Sequence, residues 1–165
     1  MNYGRFAAMV AVSTAMMFAL MYLNTYALEH ILFSQTRAWM ALVMGAAMAF
    51  VMLLFMLGMY QNRALSFAIL AASVLAFAGS LWMVRSQATV DDVSYMKAMI
   101  PHHSIAIMTS ERANIRDPRV RKLADGILQT QVREIGEMKR LIAELEANPP
   151  QDDAPVLEPA AATGE

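Results

Sequence analysis

AWMALVMGAAMAFVMLLFMLGMY, residues 38–60, runs for 23 positions without one charged side chain. A bilayer core is about 30 Å thick and takes about 20 helical residues to cross, so the run reads as a transmembrane helix. Two similar runs flank it, at residues 6–28 and 64–84. Residues 1–84 carry only Arg5, Glu29, Arg37 and Arg63 as charged groups, and every other Lys, Arg, Asp and Glu falls in 85–165. The first half is suited to lipid and the second to water. The whole chain is 58% hydrophobic with a mean hydropathy of +0.39, above the average for soluble domains. Its net charge of −1 gives no bulk attraction to nucleic acid.

The run at 6–28 is too long for a signal-peptide core and no small-x-small cleavage site follows it, so it is expected to be a retained anchor. The connections, about 29–37 and 61–63, are short enough to make successive spans antiparallel neighbours. Charge bias gives little orientation: with the N-terminus inside, Arg5 and Arg63 face Arg37 and Arg85 across the membrane, two against two. Three spans place the termini on opposite sides. We expect the N-terminus inside and the C-terminal unit outside, where Glu29 and His30 would share its side.

Beyond the spans, Asp91 or Asp92 should start a helix reaching about residue 113. Asp117-Pro118 is a good N-cap with proline at the first helical position, opening a second helix over about 118–146 that Asn148-Pro149-Pro150 stops. Expected fold class is therefore all-α: a three-helix transmembrane domain at 1–85, an αα-hairpin at 86–147, and a disordered Pro/Ala-rich tail at 148–165. Two amphipathic helices bury too little to be stable alone. The hairpin needs a second copy of itself, giving a four-helix bundle, or the membrane unit.

Met96-Lys97-Ala98-Met99-Ile100-Pro101-His102-His103 concentrates two thioethers and two imidazoles in a chain with no Cys. That donor mixture suits copper better than magnesium, calcium or manganese. On a helical wheel Met96, Met99, His102 and His103 share one face within about 120°, and Met99 and His103 form an i, i+4 pair. Pro101 should kink or restart the helix. Met108 falls on the opposite face. Folding the hairpin about residue 115 sets Gln131 opposite Met99 and brings Met138 near Met96 and Asp92. Met138 becomes the extra thioether, with Glu134 or Gln131 to orient an imidazole. The competing reading is structural: methionine stripes on amphipathic helices usually fill cores.

Residues 95–107, YMKAMIPHHSIAI, resemble the signature of the bacterial domain-of-unknown-function 305 proteins, and residues 131–138, QVREIGEM, are similar to that family's Q-x-x-E-I-x-x-M element. The resemblance covers about 91–145. It implies a ferritin-like helical bundle and, for some members, periplasmic copper binding tied to copper resistance; together with the three apolar runs, the expected setting is the bacterial inner membrane with the C-terminal unit periplasmic. Carried over by position, it makes Met96, Met99, His102, His103 and Met138 the metal ligands. Two departures stand out. Many members carry a Met six residues after the second His, where this chain has Thr109, with Met108 one place early. Longer members hold the His-His element twice and this chain once, so a site completed by a duplicated half must come from another subunit or be absent.

Two weaker features remain. Met40, Met44, Met48, Met52 and Met56 recur every four residues, but such a row winds through about 160° and reads as a packing ridge rather than a copper ladder. Glu29-His30, beyond Tyr22 and Tyr26, could hand metal over, although a His at the water boundary needs no special role. No Glu-x-x-His, P-loop or dinucleotide turn occurs, so ferritin-type di-iron and nucleotide chemistry are not expected. The sequence expectation is a non-enzymatic, multi-pass membrane protein. It would sequester or transfer copper, Cu(I), as a homodimer or larger oligomer on the bilayer, with a copper-handling protein as a further partner and no nucleic acid. The alternative is a membrane oligomerisation module whose His and Met residues are core and kink elements.

Overall fold

A computed structural model describes residues 2–151 and 154–158. The chain is all-helical: α1 (Tyr3–Leu20), α2 (Gln35–Met56), α3 (Arg63–Ser86), α4 (Asp92–Arg112) and α5 (Pro118–Ala147), with short 3₁₀ turns at Leu28–His30 and Leu57–Met59. The first three are long and apolar enough to cross a membrane, the second over Gln35–Met59 with its 3₁₀ turn.

Each helix start is a side-chain cap. Asn2, Ser34, Asn62, Asp91 and Asp117 accept a backbone N–H from the first turn of α1, α2, α3, α4 and α5 in that order. Ser94 N–H donates to Asp91 at 2.7 Å, and the bonds from Ser94 hold the Asp91 carboxyl below its usual range. Gln87 ends α3 in the left-handed conformation, φ 53°, a common helix stop.

α2 is the central helix of these three, with α1 and α3 packed against it. Ala41, Gly45, Ala46 and Ala49 are buried on it, the small residues that let membrane helices approach closely. At Gly45 the approach is closest: a Cβ there would overlap Thr14 Oγ1 of α1 and lie 3.0 Å from its Cγ2. At the far end Tyr3 donates to the Asn62 carbonyl at 2.8 Å and bonds the Ser66 hydroxyl at 2.9 Å, tying α1 to α3. Met52 and Met56 pack on the buried cluster of Phe6, Ala49, Leu53, Tyr60 and Leu70. That is the behaviour of a packing ridge.

α4 and α5 form the hairpin, closed over Met96, Ile100, Ile107, Ile135 and Ile142. α4 is one continuous helix with the buried Pro101 inside it, so the chain does not restart there.

The largest departure is the end of α1. It stops at Leu20 rather than near residue 28, and the following segment lies on the hairpin. Tyr22, buried, receives the Ser34 amide on its hydroxyl at 3.1 Å and carries the Arg37 guanidinium 4.4 Å above its ring. Arg37 also donates to the Met21 carbonyl. Tyr26 N–H donates to Ser104 Oγ at 2.7 Å, and Leu32 packs on the hairpin core. Among the described residues the hairpin is met by the α1–α2 connector and by the start of α2, where Gln35 donates to Ser94 Oγ at 3.1 Å. Residues 149–151 and 154–158 have no regular structure, and the rest of the expected tail lies outside the described residues.

Candidate metal-binding cleft

One side of the hairpin opens into a cleft of about 530 Å³ lined by Met96, Met99 and His103 of α4 and by Glu134, Glu137 and Met138 of α5, with Asp92, Tyr95, Leu141 and Leu145 around it. Four of the five ligand candidates, Met96, Met99, His103 and Met138, therefore share one concave surface. The fifth, His102, is exposed and does not line it, its ring centroid 5.9 Å from that of His103.

His103 is the most constrained of the four. Its side chain is 11% exposed. Nδ1 lies 3.0 Å from the Met99 carbonyl oxygen, and Nε2 lies 2.8 Å from Glu134 Oε2. A carbonyl oxygen only accepts, so Nδ1 carries a hydrogen in that contact. Nε2 is the nitrogen on the Glu134 side, and Glu134 lines the same cleft, while the ring is fixed by the i, i−4 backbone contact. Glu134 has the orienting place that the sequence offered to it or Gln131. Gln131 instead borders a separate surface depression with Leu123, Gly126 and Ile127.

The hairpin register explains that difference. His103–Glu134 and Lys97–Glu146, the latter at 2.6 Å, have midpoints between residues 118 and 122, not at 115. The bend covers the non-helical stretch after Arg112 up to the Asp117 cap, so the helices meet a few residues later along α5. Tyr95 and Glu137 belong to the cleft and were not singled out from sequence. The signal was present: Asp92, Tyr95 and Met99 follow each other at three and four residues on one helical face.

The opposite side of the hairpin is held by the connector. Ser104, fully buried, meets both the Tyr26 amide and His30 Nδ1, the latter at 2.9 Å. His30 is 7% exposed, not at the water boundary, and burial pushes its pKa below the usual imidazole value. Beside it Glu29 pairs with Lys139 of α5 at 2.7 Å. The hydrogen bond from Lys139 lowers the Glu29 pKa.

Among the described residues, no group of three or more His, Asp or Glu is placed to hold a metal ion. The cleft carries three thioethers and one imidazole beside the carboxylates of Asp92, Glu134 and Glu137; of these, sulfur and imidazole suit a soft cation and the carboxylates a hard one.

Residues 92–163 match the model of the family described as domain of unknown function (DUF305), which places that domain on the hairpin and the segment after it. An uncharacterized protein of Acanthamoeba polyphaga mimivirus is 41% identical over 66 residues, covering 39% of this chain. The chain spans 43% of that relative's length. No solved structure matches significantly.

Proposed function

We propose that this is a membrane-anchored copper-binding protein that takes Cu(I) into the hairpin cleft for sequestration or transfer, without catalysing a reaction. The observation that carries the reading is the convergence of Met96, Met99, Met138 and His103 on one cleft. These four side chains would hold the ion, which would supply only soft Lewis acidity for thioether and imidazole donors. Nδ1, engaged with the Met99 carbonyl, fixes which nitrogen is offered. A metal at Nε2 would need that nitrogen unprotonated, so loading would compete with protons and weaken as pH falls.

In this reading the three spans lie in a bacterial inner membrane with the hairpin on the periplasmic side. Copies of the chain, or a copper-handling protein, meet the hairpin there. His102, exposed beside the cleft, would be an entry ligand rather than a resident one. The structural alternative also has an observation behind it: Met96 is 7% exposed and part of the hairpin core, as a packing methionine would be. The two separate on titration of the purified full chain with Cu(I) against a competing chelator. The proposal expects binding that is lost in a Met99→Ala/His103→Ala double variant with the helical content unchanged. Binding left intact in that variant would refute the site.

A further inference from the structure

The connector between α1 and α2 has two unlike sides. Most of its polar groups are held by protein: the Tyr22 hydroxyl by the Ser34 amide, the Tyr26 amide and His30 Nδ1 by Ser104, and the Glu29 carboxylate by Lys139. Its large apolar side chains point away from these anchors. Leu23 is 77% exposed, Leu28 85% and Phe33 64%, and Ile31 is exposed as well. So much uncovered apolar surface on one short segment marks a contact with another apolar phase.

Which phase that is follows from where the segment is tied. Both of its ends join helices long and apolar enough to cross a membrane. The 18 residues of α1 rise about 27 Å at 1.5 Å each, against about 30 Å for a hydrocarbon core. Leu20 therefore reaches the edge of that core on the hairpin side, and Ser34, the cap of α2, returns the chain to it. The outward surface also continues the exposed flank of α1 at Met16 and Leu20. Phe33 joins the two, its ring 6.1 Å from that of Phe18. Asn24 and Glu29 are exposed in the same segment and need water or headgroups, so the segment belongs at the boundary and not in the core.

We infer that the connector is an interfacial segment whose Leu23, Leu28, Ile31 and Phe33 enter the acyl edge of the bilayer. The lipid surface then holds the hairpin close to the membrane through the connector's bonds to Ser104 and Lys139. The inference rests on the membrane reading of the spans and is independent of copper. The chain has no native Cys, so a nitroxide can be attached at single sites of the full chain in phosphatidylcholine vesicles. Leu23→Cys and Leu28→Cys alter side chains with little protein contact, and the fold should survive both. Leu75→Cys, exposed on α3, is the lipid reference, and Arg133→Cys, exposed on α5, is the water reference. The ratio of collisions with oxygen to collisions with a water-soluble nickel chelate should be several-fold higher at both connector sites than at the water reference. It should stay below the lipid reference, as for labels about 5–10 Å into the headgroup–acyl boundary. A water-like ratio at either connector site, with a lipid-like one at the α3 site, would overturn the proposal and leave the spans standing. Connector labels immobilised and shielded from both reagents would also overturn it, since protein would then cover the patch. A water-like ratio at the α3 site would remove the membrane reading and this proposal with it.

Discussion

Ser104→Ala removes one hydroxyl at the joint between the connector and the hairpin, and the structure allows its cost to be worked out. Ser104 is fully buried and has two partners, the Tyr26 amide at 2.7 Å and His30 Nδ1 at 2.9 Å. Removing it leaves a buried imidazole nitrogen unsatisfied and a backbone N–H without its acceptor. Each such orphan costs about 1–3 kcal/mol, so the loss should be about 2–4 kcal/mol. The lost packing is small, since only an oxygen is deleted. The assay is thermal or denaturant unfolding of the full chain in detergent, for Ser104→Ala, His30→Ala and the double variant. Because the two groups meet, the cycle should close with a coupling of about 1 kcal/mol or more. A Ser104→Ala cost below about 0.5 kcal/mol, or strict additivity with His30→Ala, would refute the joint as an energetic link.

Three other outcomes follow from the same structure. Gly45→Leu should push α1 away from α2 through its clash with Thr14 and cost about 1–3 kcal/mol; Thr14→Gly should recover part of it, and no loss of stability in Gly45→Leu would contradict the close contact. The pKa of His30 is lowered in the fold by burial, so the unfolded chain takes up a proton first: the contribution is full above about pH 6.5 and declines below it. Amide exchange at Tyr26, corrected for its intrinsic rate, should therefore rise between pH 7.5 and 5, and a His30→Asn chain should lack that rise. Glu134→Ala removes the group that holds His103 Nε2 at 2.8 Å and should weaken Cu(I) binding about 10–100-fold in a chelator competition; unchanged affinity would remove Glu134 as the group that orients the imidazole.

Much of this architecture was legible in the residues, and the failures have physical causes. The three spans follow from charge-free length, and the hairpin from Asp117-Pro118 and the three-four spacing of α5. The end of α1 was misplaced because residues 21–28 are as apolar as a span. Yet Asn24 and Thr25 interrupt them, and Tyr22 turns to Ser34 and Arg37 instead of lipid. The burial of His30 depends on Ser104, which is 74 positions away, and no local pattern encodes such a contact. Within the site, helical periodicity gathered Met96, Met99 and His103 correctly. It placed His102 on the edge of the same face, where the structure leaves it exposed. The choice of Glu134 over Gln131 depended on where the bend begins and ends, and helical periodicity is silent about non-helical residues.

The central claim is that sulfur and imidazole in the hairpin cleft bind Cu(I). X-ray absorption on the full chain loaded with one equivalent of Cu(I) tests it most directly. The account predicts a first shell dominated by sulfur with one nitrogen donor, the sulfur contribution falling in Met99→Ala and the nitrogen lost in His103→Ala. A shell of oxygen and nitrogen without sulfur, or one unchanged in both variants, would contradict it.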